Sequence, residues 1–226
     1  VRTSGAGGSG ATGLVLSGTA ASGMPATAIT PLTANTTYYA YVQGVCGGGS
    51  SVSIWGSSSS FFTGYCTPVG TGTTHYLNSF STTNGFTNIS NVNSGLSAGG
   101  YGNFTAQSVS NIAGGSVNFS ASTADGDDYV YIWVDWNHNL VFDDPSERVF
   151  GTTGYTPNPV TGSIAVPGGT PNGNYTMRVR NSWIGAPTTC ASSAYGEAED
   201  YTFTVSPPPT CLAPTALLAA PGLSTA

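Results

Sequence analysis

At 226 residues the chain is long enough for one or two domains. Only 6% of it is charged, with four arginines, no lysine and a net charge of −6, so it lacks the basic patch that binding nucleic acid or an anionic membrane requires. Hydrophobic residues make up 39% and aromatics 11%, enough for a folded core, and no run of about 18 apolar residues could cross a membrane as a helix.

Residues 1–63 read as short strands between Gly/Ser-rich turns. Leu14-Val-Leu16 is one apolar run. Tyr38-Tyr-Ala-Tyr-Val-Gln-Gly-Val-Cys46 alternates, with Tyr39, Tyr41 and Gln43 on one face and Tyr38, Ala40 and Val42 on the other. Trp55 and Phe61-Phe62 bracket a last strand. Leu32-Thr-Ala-Asn-Thr-Thr-Tyr38 resembles the corner of fibronectin type III modules, in which a Leu packs under a turn and a Tyr locks it. The resemblance covers only the second half of such a module, so residues 1–64 are assigned to a partial one. Beyond the triple proline at 207–209, Cys211-Leu-Ala-Pro-Thr-Ala-Leu217 resembles the opening strand of the same module type. A polyproline spacer is stiff and extended, so residues 207–226 read as a linker and the first strand of a following module. Position 1 is Val, and no secretory leader is visible. The chain is therefore expected to be a mature form, a fragment, or one repeat of a tandem array.

Residues 65–206 form the main domain. Strand candidates are Ile89-Ser-Asn-Val92, Phe104-Thr-Ala, Val117-Asn-Phe119, Tyr129–Val134, Arg148-Val-Phe150, Gly162-Ser-Ile-Ala-Val-Pro167, Tyr175-Thr-Met-Arg-Val-Arg180 and Tyr201-Thr-Phe-Thr-Val205, with Asn/Gly turns between. No stretch carries a 3.6-residue apolar period. The expected fold is all-β: tandem β-sandwich modules, one of them jelly-roll-like.

The ten acidic residues all lie between Asp125 and Asp200, in three clusters. The middle one follows the Tyr129–Val134 strand. There Asp135, Asn137, Asn139 and Asp143 place side-chain oxygens at loop positions 1, 3, 5 and 9, Val141 can offer a backbone carbonyl at 7, and Glu147 closes the loop. This is how a short loop wraps a hard cation, and calcium is the expected cofactor. Leu140 departs from the pattern, standing where glycine normally permits the sharp turn. A residue of the 197–200 cluster is the alternative to Glu147 for completing the site.

Tyr195-Gly-Glu-Ala-Glu-Asp-Tyr201 resembles the Y-G-E-V-E-D-Y signature of GEVED domains, modules of secreted bacterial surface proteins and exoenzymes, especially of the Bacteroidota. The W-V-D-W-N-x-N-x-x-F-D-D-x-x-E loop, Met177-Arg-Val-Arg180, Tyr65-Cys66 and Cys190 stand in the family's order. The resemblance implies an extracellular module without an active site of its own. It also sets the context for a Cys66–Cys190 disulfide closing a long loop. Cys46 and Cys211 are expected to find partners in neighbouring repeats, or each other.

His75 and His138 are isolated, and no nucleophilic triad is visible. Glu199 with Asp135 is the one carboxylate pair that glycoside hydrolysis could use, and the chain is expected not to be an enzyme. Of Trp55, Trp133, Trp136 and Trp183, the second pair are the candidates for facing a ligand. Two functions fit. One is a calcium-stabilised structural or adhesive repeat of a large secreted surface protein or filament, with neighbouring copies as head-to-tail partners. The other is an accessory module of an exoenzyme that binds surface glycans or proteins.

Overall fold

The structure, a computed structural model, describes residues 1–19, 29, 32–33, 36–46 and 51–209. The proposed opening strand at 211–217, with Cys211, lies outside the described residues.

Among the described residues thirteen strands run in chain order: β1 (Thr37–Ala40), β2 (Val45–Cys46), β3 (Ser51–Val52), β4 (Ser59–Phe62), β5 (Leu77–Thr83), β6 (Ser90–Val92), β7 (Tyr101–Asn111), β8 (Ser116–Thr123), β9 (Tyr129–Val134), β10 (Arg148–Gly151), β11 (Val160–Ala165), β12 (Gly173–Ser182) and β13 (Ala198–Val205). From β5 onward they form two sheets, one of five strands in the order β10-β9-β12-β13-β7 and one of four in the order β11-β8-β5-β6. All pairs in these sheets are antiparallel except β13 with β7. The chain changes sheet at β6–β7, β7–β8, β8–β9, β10–β11 and β11–β12, as a sandwich of crossing connections requires. The fold is the expected all-β sandwich.

Alternation explains the core. In β8, Val117, Phe119 and Ala121 point inward while Asn118, Ser120 and Ser122 point out. They meet Ile132 and Val134 of β9, Tyr175, Met177 and Val179 of β12, and Tyr201 and Phe203 of β13 in one apolar cluster. β5 escapes the sequence reading because its two large apolar residues, Leu77 and Phe80, are three apart. A register irregularity between Leu77 and Ser79 turns both to the core.

β12 and β13 are buried on both faces. Arg178, Arg180 and Asp200 are as enclosed as the apolar residues between them, because the segments around Cys66 and Thr188–Cys190 cover the outer face of this sheet, while Glu199 is enclosed on the core side beside Tyr201. The Thr176, Arg178 and Arg180 side of β12 is the polar one by alternation, yet both arginines lie inside the molecule.

The N-terminal region differs from expectation. β1 pairs with β4, and β2 with β3, each as a separate two-stranded ribbon. Tyr38–Cys46 is thus not one continuous strand. Its backbone leaves the ladder after Ala40 and is caught by Gly56 N–H donating to Val42 O and Ser53 N–H donating to Gly44 O, both at 2.9 Å. Tyr38 is buried and stacks on Phe61 at 5.6 Å. Its hydroxyl accepts the Thr33 N–H at 2.8 Å. Val42, placed by alternation on the same face, is 75% exposed.

Candidate functional site

The acidic loop leaves β9 and returns in β10, so its ends are held one ladder step apart. Asp135 is fully buried. Its Oδ1 accepts the Asn139 N–H at 3.2 Å, and its Oδ2 accepts the Leu140 N–H at 3.0 Å and the Tyr65 hydroxyl at 2.5 Å. Asn137 and Asn139 each accept the N–H two residues on, at 2.8 Å. Both amide nitrogens donate to Asp143 Oδ2, at 3.1 and 2.8 Å. Glu147 accepts the N–H of Asn137 at 3.2 Å and of Asp143 at 2.9 Å. Burial pushes its carboxyl above the usual range, and Asp135 and Asp143 add to the shift.

The loop therefore brings Asp135, Asn137, Asn139, Asp143 and Glu147 together. It also closes on itself: Asp135 and Glu147 spend oxygens on backbone donors. Among the described residues no three of the His, Cys, Asp and Glu side chains cluster in a metal-ligating arrangement. The donor chemistry suits a hard cation in which amide oxygens of Asn137 and Asn139 join the carboxylates. Leu140 adopts φ +66°, the left-handed conformation that the pattern assigns to glycine. The 197–200 carboxylates are engaged elsewhere. Glu197 accepts the N–H of Leu77 at 3.1 Å and of Ser97 at 2.8 Å. Glu199 lies 2.6 Å from the Tyr201 hydroxyl and 3.3 Å from Ser94 Oγ.

Asp200 holds Arg178 in a two-point pair, Nε–Oδ1 at 2.7 Å and Nη2–Oδ2 at 2.8 Å. The same guanidinium donates to Cys66 O at 2.7 Å and Thr189 O at 2.9 Å, and lies over the Phe142 ring at 4.7 Å. Cys66 and Cys190 form a disulfide, with Cα atoms 5.7 Å apart. Arg178 is thus the peg onto which the strap closed by that bond is hooked. Arg180, beside it, donates to Thr188 O, and its Nε is buried without a partner among the described residues. Burial lowers its pKa to about 10, and the neighbouring Arg178 contributes.

The acidic cluster at 125–128 divides. Asp128 is buried and accepts His75 Nδ1 at 3.0 Å and Asn181 Nδ2 at 2.7 Å. Asp125 and Asp127 stay exposed, on the wall of a cleft that His75, Tyr155 and Trp183 complete. Trp183 is 44% exposed and stacks on His75 at 5.2 Å. Trp136, by contrast, is half-buried and packs on Tyr175 and Phe203. His138 stacks on Tyr175 at 4.4 Å. The sequence reads His75 as isolated and Asp128 only as one of an acidic cluster, and gives no sign of Asn181; the structure joins the three. They stand more than 50 positions apart in the chain, and the one local signal was a second acidic cluster.

Compared with known protein families, residues 129–204 match the GEVED domain. The matched stretch supplies β9 to β13, so β5–β8 from outside it complete both sheets. No curated protein matches the chain.

Proposed function

We propose that the chain is a non-catalytic structural or adhesive repeat of a large secreted cell-surface protein or filament, stabilised by calcium on the 135–147 loop and joined head-to-tail to neighbouring copies. The observation that carries this reading is where the signature carboxylates go. Glu197, Glu199 and Asp200 are at most 2% exposed and are engaged by backbone N–H groups, hydroxyls and Arg178. Groups used this way hold a module together and have no route to a substrate. The disulfide and the GEVED match at 129–204 support an extracellular setting.

Support for head-to-tail partners lies in the N-terminal ribbons. Val42, Val45, Val52, Ile54 and Phe62 stand 48–91% exposed there, an apolar surface that a neighbouring module would cover. Both a continuous chain and strand addition between subunits produce an open-ended array.

Two measurements test the reading. Calcium at 100 times its Kd should add about 2.7 kcal/mol to stability, and a chelator should remove it. A melting temperature insensitive to both would sink the calcium component. Two copies joined covalently should melt in one transition above that of the single chain. A single chain that melts cooperatively in both regions and never assembles at high concentration would refute the array.

A further inference from the structure

In the cleft beside Asp128, rings, carboxylates and an imidazole converge, and the structural reading makes no use of it. It encloses about 550 Å³ and is lined by His75, Asp125, Gly126, Asp127, Tyr155 and Trp183. Its centrepiece is built from below. Asp128 and Asn181 form a buried base. Asn181 Nδ2 reaches both the Asp128 carboxylate, at 2.7 Å, and the His75 carbonyl, at 2.9 Å. Asn181 Oδ1 takes the Glu197 N–H at 2.8 Å. His75 is thereby fixed in both backbone and ring. Since a carboxylate accepts, Nδ1 carries the proton toward Asp128, and Nε2 is the ring nitrogen left free of that carboxylate. Trp183 stacks on this ring, and Tyr195 braces both edge-on, at 5.7 and 6.0 Å.

The polar lining selects the ligand. Asp125 and Asp127 only accept hydrogen bonds when ionised. The only ion pairs the arginines make among the described residues are Arg148 with Asp144 and Arg178 with Asp200. The rim is therefore negative without a compensating cation, which repels anionic ligands. The Trp183 indole N–H has no partner among the described residues and can donate. A ligand must thus offer hydroxyls that both donate and accept, together with an apolar face for the indole and the Tyr155 ring. That is a pyranose. We infer that this cleft is a binding site for neutral or amino-bearing saccharides, with Trp183 as the stacking platform, Asp125, Asp127 and His75 Nε2 as hydroxyl acceptors, and acidic sugars refused. The site is independent of the head-to-tail reading, so its failure would leave that reading standing.

The experiment is calorimetric titration of the whole chain with three trisaccharides, β-linked glucose, β-linked N-acetylglucosamine and galacturonate, and with tetramethylammonium chloride. At least one neutral trisaccharide should bind with Kd near or below about 1 mM, and galacturonate should not. Trp183→Ala should weaken binding about tenfold, the loss of a stacked ring, with the melting temperature little changed because the side chain is on the surface. Asp127→Asn should weaken it too and should relax the refusal of galacturonate. The inference is overturned if no neutral trisaccharide binds, if binding survives Trp183→Ala, if galacturonate binds equally well, or if tetramethylammonium alone occupies the cleft.

Discussion

Glu199 should make this protein more stable in mild acid than in mild base. Its side chain is fully enclosed between the sheets. Burial pushes its pKa from 4.5 up to about 8, with a further contribution from Glu197, against the pull of the Tyr201 and Ser94 hydrogen bonds. Asn91 Nδ2 donates to the Tyr201 oxygen at 2.8 Å, so that hydroxyl donates onward to Glu199 Oε2. The Ser94 hydroxyl lies within reach of two acceptors, Leu77 O at 3.2 Å and Glu199 Oε1 at 3.3 Å. A carboxyl whose pKa is raised by folding contributes stability below its unfolded value and loses it as pH climbs through the folded one. The window therefore runs from 4.5 to about 8. At about 1.4 kcal/mol per pH unit it amounts to a few kcal/mol and at most about 5. Glu199→Gln keeps one oxygen for Tyr201 and puts an amide N–H where the acid proton sits. The variant should match the wild type near pH 5 and exceed it at pH 8.5 by about 2–4 kcal/mol, or about 5–15 °C in melting temperature. Calorimetry from pH 5 to 8.5 measures both. A wild-type profile flat across that range, or a variant with the same slope, would refute the reasoning.

Reducing the Cys66–Cys190 bond should cost up to about 5 kcal/mol in the chain-entropy account, since it spans 124 residues. Melting with and without reductant reads the loss, and a shift under about 2 °C would mean that the strap is held by Arg178 alone. Gly196→Ala should destabilise by at least about 2 kcal/mol, because a Cβ there would lie 2.3 Å from the Asn181 carbonyl oxygen; urea unfolding at unchanged secondary structure checks it, and an unperturbed midpoint would be the contrary result. Leu140→Gly should stabilise by up to about 1 kcal/mol, as Leu140 holds φ +66° and is 37% exposed. The same variant should bind calcium more tightly, and weaker binding would show that Leu140 is not strained in the loop.

Much of this molecule was legible locally. Period-two alternation located β8, β9, β11, β12 and β13, since a half-buried strand must send alternate residues to water and to the core. The spacing of Asp135, Asn137, Asn139, Asp143 and Glu147 was enough to bring those side chains onto one loop, because a short turn between two paired strands leaves them nowhere else to go. Local pattern failed where partners come from afar. β5 was hidden by a register irregularity that turns Leu77 and Phe80 inward together. Nothing local shows that Arg178 and Asp200 are enclosed; the strap through Cys66 covers them from more than a hundred positions away. The union of His75, Asp128, Asn181 and Trp183 came from packing β12 beside β9 and from the segment that leads into β5 crossing over them. Composition and period determine which face of a strand is apolar. Whether the other face meets water, a strap or a ligand is decided by residues a hundred positions away, and only the tertiary structure brings them there.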